Sequence, residues 1–126
     1  MRSSIMMAAI AGVMALPSLA LSQQAGTYKA RLEPDARNIS VCINLDTSLR
    51  REHTLTVVSA TEATVVGAGG MKAKMTPSGA GIYQNNKVQF GAEQFLIVAD
   101  LSKTPNVLVV TDNRMGCRWA GELKKQ

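Results

Sequence analysis

The sequence predicts an all-β fold, a small antiparallel β-barrel of about eight strands or a sandwich of similar size. Three observations carry that expectation. Short runs of alternating apolar and polar residues recur along the chain, separated by Gly, Pro, Asn and Asp. No stretch after residue 22 repeats apolar residues at the three-to-four spacing of an amphipathic helix. Two cysteines, Cys42 and Cys117, lie one near each end of the remaining chain, where one bridge would close most of a small domain.

Residues 1–22 read as a secretory signal. Arg2 supplies the positive start, Ile5 to Leu16 is an apolar run ended by Pro17, and Ala20-Leu21-Ser22 offers small residues to a signal peptidase. The run is too short for a membrane span, and no cysteine follows it to take a lipid anchor. The expectation is a protein exported to a bacterial periplasm with no membrane anchor, starting at Gln23 and forming one domain over 23–126. Cutting 22 residues from 126 leaves 104, with 13 basic against 9 acidic side chains. That mild balance favours anionic surfaces, and a generic solvated basic surface explains it equally well. In an oxidising compartment Cys42 and Cys117 read as one disulfide, worth about 4 kcal/mol on the chain-entropy argument. Two unpaired buried thiols are the alternative.

Tyr28 to Leu32 alternates apolar and basic residues, as a strand with one face on the core does. Glu33 to Asn38 is a turn. Ile39 to Leu45 alternates Ile39, Val41, Ile43 and Leu45 with Ser40, Cys42 and Asn44, and is read as a strand. Asp46 to Glu52 is a polar connection. Thr54 to Ser59 and Ala63 to Val66 are dense in β-branched residues, and Gly67 to Gly70 is a turn before the alternating Met71 to Met75. Ser78-Gly79-Ala80-Gly81 is a small, flexible loop, followed by a hairpin whose turn is placed at Asn85-Asn86, since Asn tolerates positive φ. Gln94 to Ala99, Val107 to Thr111 and Cys117 to Leu123 complete the set. Leu96-Ile97-Val98 and Leu108-Val109-Val110 are apolar on both faces, so those strands are expected to be central or covered by a partner.

Little in this sequence suggests catalysis. His53 is the only histidine and is read as a solvated residue in a polar connection; with no close cysteine pair, a zinc site is not supported. No cofactor is implied. The nine carboxylates show no acid–base pairing, and Glu93 reads as a corner carboxylate accepting backbone hydrogen bonds. Lys29, Arg31, Lys72 and Lys74 are expected on outer strand faces. No aromatic residue is interleaved with the lysines, so nucleic acid is not an expected partner.

Ser78-Gly79-Ala80-Gly81-Ile82-Tyr83, then Gly91, Glu93 and Leu96, resemble the two motifs of the inhibitors of c-type lysozyme (the PliC/MliC family), Ser-Gly-x-x-Tyr and Lys-Gly-x-Glu-x-x-Leu. The first motif here is one residue longer. Phe90 stands where the second has its lysine, and Lys87 is the nearest basic residue. The resemblance implies a barrel closed by a Cys42–Cys117 disulfide and a non-enzymatic inhibitor whose partner is a c-type lysozyme. It implies lysozyme-binding residues Ser78, Gly79, Ala80, Gly81, Tyr83 and Lys87. Their loop would enter the enzyme's cleft and occupy its two catalytic carboxylates, with a serine hydroxyl donating and a lysine forming a charge-assisted bond. Two other readings stand beside it. One is an exported module for a small ligand or cell-envelope glycan, with Trp119, Tyr83 and Phe90 lining the site. The other is a homodimer paired along the apolar strands, compatible with either function.

Overall fold

The computed structural model describes residues 24–126; the expected signal and the cut before Gln23 lie outside them. The chain forms ten strands: β1 (Gly26–Arg31), β2 (Glu33–Pro34), β3 (Glu52–Ser59), β4 (Glu62–Val66), β5 (Lys72–Gly79), β6 (Ile82–Phe90), β7 (Glu93–Asp100), β8 (Val107–Asp112), β9 (Arg118–Glu122) and β10 (Lys124–Lys125). They make one curled antiparallel sheet in the order β10-β1-β3-β4-β5-β6-β7-β8-β9-β2. From β3 to β9, neighbours in sequence are neighbours in space, as in an up-and-down barrel.

The two ends of this order meet. Tyr28 and Lys29 of β1 face Lys125 and Lys124 of β10, and Glu33 and Pro34 of β2 face Ala120 and Trp119 of β9. One antiparallel register therefore runs through both pairs, with β1–β2 as one interrupted ribbon and β9–β10 as the other. Counted by ribbons, the barrel has the eight strands the sequence predicts. At the interruption the ribbons press together: a Cβ on Gly121 would run into the Arg31 carbonyl oxygen, so only glycine fits there.

The core lines the inside of the curl. Alternate residues along the strands are buried, among them Tyr28, Leu55, Val65, Met75, Tyr83, Phe95, Ile97, Leu108, Val110 and Trp119, with the pattern lost at the exposed Thr76–Gly79 end of β5 and across the β6 bulge. β7 and β8 are central in their half of the sheet, and the outward side chains of Leu96, Val98 and Val109 are half-buried. Cys42 and Cys117 form the disulfide, with Cα atoms 5.8 Å apart.

Two expectations are corrected. Ile39–Leu45 is no strand: Ser40–Cys42 is a 3₁₀ turn and Ile43–Leu49 is a helix, α1. The apolar alternation misleads here, because Ile39, Val41 and Ile43 are 60%, 47% and 64% exposed. The residues that point inward are Cys42, Leu45 and Leu49, at helical spacing. Two side-chain links fasten this segment, the disulfide and the bond from the Trp119 indole N–H to the Asp46 carboxylate at 2.7 Å. Asn85-Asn86 is likewise no turn. β6 runs unbroken from Ile82 to Phe90, and its hairpin with β5 turns at Ala80-Gly81, where Gly81 has φ +75°. The asparagines instead mark a bulge between Asn85 and Val88.

Candidate functional site

At one end of the barrel stand three connections: the β3–β4 turn around Ala60-Thr61, the β5–β6 tip and the β7–β8 loop from Leu101 to Asn106. The tip and the β7–β8 loop are both exposed at this end. In the tip Ser78, Gly79 and Ala80 are exposed, whereas Gly81 behind them is buried. The base of the tip is held on two sides. The Leu101 N–H donates to the Gly81 carbonyl at 2.7 Å, and a Cβ on Gly81 would meet Gln24 Nε2 at 2.7 Å and the Ser102 nitrogen at 3.4 Å. Below the tip, Tyr83 is buried against the core and its hydroxyl donates to the Ser59 carbonyl at 3.0 Å. Burial pushes that phenol's pKa up. Tyr83 thus anchors the tip to the β3–β4 turn and offers no surface to a partner.

The β7–β8 loop adds charge to this end. Asp100 Oδ1 accepts from the Ser102 hydroxyl at 2.6 Å and from the Ser102 N–H at 2.9 Å, while Lys103 Nζ lies 3.8 Å from Oδ2. The Ser102 hydroxyl bond, with smaller help from the Ser102 amide and the Lys103 charge, holds the Asp100 pKa below the usual carboxylate range. Lys103 keeps two thirds of its side chain exposed. Because the Gly81–Leu101 bond brings this loop beside the tip, Lys103 is a cation at the same end as Ser78. Sequence reasoning missed it. The signal was in the topology: alternate hairpin connections of a meander share one end, so the β5–β6 and β7–β8 connections had to be neighbours.

Lys87 lies elsewhere. It is exposed in the β6 bulge, its N–H bonded to Asn85 Oδ1 at 2.9 Å. The bulge is held from both sides, by Asn85 Nδ2 on the Lys74 carbonyl at 2.9 Å and by Asn113 Nδ2 on the Asn86 carbonyl at 3.0 Å. Five residues of strand separate Lys87 from Ile82, roughly 15 Å from the tip. Of the predicted lysozyme-binding set, Ser78, Gly79, Ala80 and Gly81 stand together, Tyr83 lies beneath them, and Lys87 lies apart in the bulge beyond the middle of the strand.

Other sequence readings resolve plainly. Trp119 and Tyr83 are buried, and Phe90 packs its ring over Gly69, so the three form no exposed aromatic platform. Glu93 pairs with Arg114 across the β6–β7 and β8–β9 turns rather than with backbone amides. His53 is not solvated: it sits in β3, 1% exposed, with Nδ1 2.9 Å from the Arg51 carbonyl oxygen, which can only accept. Among the described residues, no three His, Cys, Asp or Glu side chains gather as a metal site would need. No described helix is long and apolar enough to cross a membrane. No family model, curated protein or solved structure matches the chain.

Proposed function

We propose that this domain is an exported inhibitor of a c-type lysozyme that works by occlusion, presenting the Ser78–Ala80 tip to the enzyme's cleft. One observation supports the reading above the others: an exposed hairpin tip of small residues stands on a base fixed by the Gly81–Leu101 and Tyr83–Ser59 bonds. A wedge built this way loses little conformational entropy on binding, because its backbone is already held. The Ser78 hydroxyl is the donor suited to a cleft carboxylate. Lys103, at the same end, is the cation placed to assist it, and Lys87 becomes a contact outside the cleft.

Charge reversal tests this contact. Ser78→Glu sets a carboxylate against the enzyme's carboxylates and is expected to weaken binding to immobilised c-type lysozyme by about a hundredfold, because opposed like charges cost several kcal/mol. Ser78→Ala removes one hydrogen bond and is expected to cost about tenfold. Wild-type affinity in both variants, with unchanged thermal unfolding, would remove the tip from the interface.

A further inference from the structure

The outer face of β10, β1, β3, β4 and β5 carries a charge pattern that the tip does not use. One row across it runs Lys124, Lys29, Thr54, Val66, Lys72, each residue opposite the next in the ladder. The next row runs Thr27, Thr56, Thr64, Lys74. These side chains point outward, because their neighbours along each strand, Tyr28, Leu55, Val57, Val65 and Ala73, are buried. The middle of the face is thus a field of threonine hydroxyls, with cations along both margins. At about 4.8 Å per strand, Lys124 and Lys72 stand roughly 19 Å apart along the curved surface.

Apart from Lys29, the cations of this face are not neutralised in place by an ion pair among the described residues. On this face only Glu52 forms an ion pair, with Lys29 at 3.7 Å. Among the described residues, no carboxylate pairs with Arg31, Lys72, Lys74 or Lys124. Over the seam between the β1–β2 and β9–β10 ribbons lies a groove of about 350 Å³ at the margin, lined by Lys29, Arg31, Glu52, Glu122, Lys124 and Gln126.

We propose that this face and its marginal groove dock an acidic polysaccharide, a glycan carrying repeated carboxylate, sulfate or phosphate groups. Cations on both margins match anions spaced along a chain, and threonine hydroxyls can donate to and accept from sugar hydroxyls between them. The groove supplies both signs of charge, with Glu52 and Glu122 as acceptors for sugar hydroxyls beside cations for the anionic groups. Single-stranded nucleic acid would call for exposed rings to stack on, and Tyr28, Tyr83, Phe95 and Trp119 are all buried. An anionic membrane would call for an apolar wedge of large side chains, and the exposed apolar residues on β3 and β4 are two valines, Val58 and Val66, at opposite ends of a threonine stretch. This inference stands apart from the lysozyme reading and uses none of its residues.

The test is titration of the oxidised protein with a size-defined heparin oligosaccharide at low and at physiological salt. Binding is expected to weaken as salt rises, because a polyanion releases counterions when cations dock on it. Lys72→Gln with Lys74→Gln is expected to weaken it by about tenfold, and Lys124→Glu at the other margin by a similar factor. Arg37→Gln with Arg114→Gln removes the same net charge away from this face and is expected to change affinity by less than about twofold. Absence of binding at low salt, or equal losses in the two Gln pairs, would overturn the proposal. So would tighter binding to polyglutamate, an oligothymidylate or anionic vesicles.

Discussion

His53 enters the barrel wall near the start of β3, opposite Ala30, with Met71 and the backbone of Gly67 pressed against its ring region. A Cβ on Gly67 would come within 2.8 Å of His53 Cδ2 and Nε2, so the glycine is what lets the imidazole lie flat there. Burial pushes the His53 pKa below its ordinary value, and the bond to the Arg51 carbonyl only partly opposes that. The unfolded chain then takes up this proton at a higher pH than the folded one. Stability is full above an unfolded-state pKa of about 6.5 and falls as pH drops from there toward the lower folded value. Asp35 and Asp100 are both held below the usual carboxylate range, so their stabilisation is lost only at more acid pH, below about 4. Thermal unfolding is therefore expected at lower temperature at pH 5 than at pH 7.5, and His53→Leu is expected to flatten that difference. An unchanged pH dependence in His53→Leu would show that the ring does not titrate against folding.

The strands were legible because their physics is local. Alternation over Thr54–Ser59 and β-branched density over Ala63–Val66 match β3 and β4, and the doubly apolar Leu96–Val98 and Leu108–Val110 stretches mark the central strands β7 and β8. Two elements were not legible, each for a different reason. Through the 3₁₀ turn and α1 the two periods coexist, Ile39, Val41 and Ile43 by twos and Cys42, Leu45 and Leu49 by threes and fours. The links to Cys117 and Trp119 lie 75 and 73 residues away in sequence, and no local pattern reports them. At Asn85-Asn86 a good turn dipeptide was taken up as a bulge, because Gly81 already supplied the positive φ the hairpin needs. Of the site, the small-residue tip was legible from composition, whereas Lys103 enters only through the meander's connectivity. The α1 correction is testable at one residue. Ile43 is 64% exposed, so Ile43→Lys is expected to change stability by less than about 0.5 kcal/mol in denaturant unfolding. A strand with Ile43 in the core would instead lose several kcal/mol, and that result would contradict the helix.

Across the whole molecule, closure ties these features together. The β1–β2 and β9–β10 ribbons meet in one register, Gly121 admits the Arg31 carbonyl at the seam, and Cys42–Cys117 fastens α1 over the β8–β9 turn. A closed barrel has no free edge along which to aggregate, and a closed wall holds its end loops in fixed relation. That rigidity suits the proposed wedge, in which the Ser78–Ala80 tip would enter a cleft without refolding. The separation of the tip from the cationic outer face would also let one small domain meet the proposed enzyme and an acidic polysaccharide at once. The measurement that bears most directly on the central claim is lysozyme activity on bacterial cell walls, titrated with the oxidised protein against a c-type and a g-type enzyme. The account predicts that the c-type enzyme alone is inhibited, saturating near equal stoichiometry. Full c-type activity in the presence of excess folded protein would contradict it.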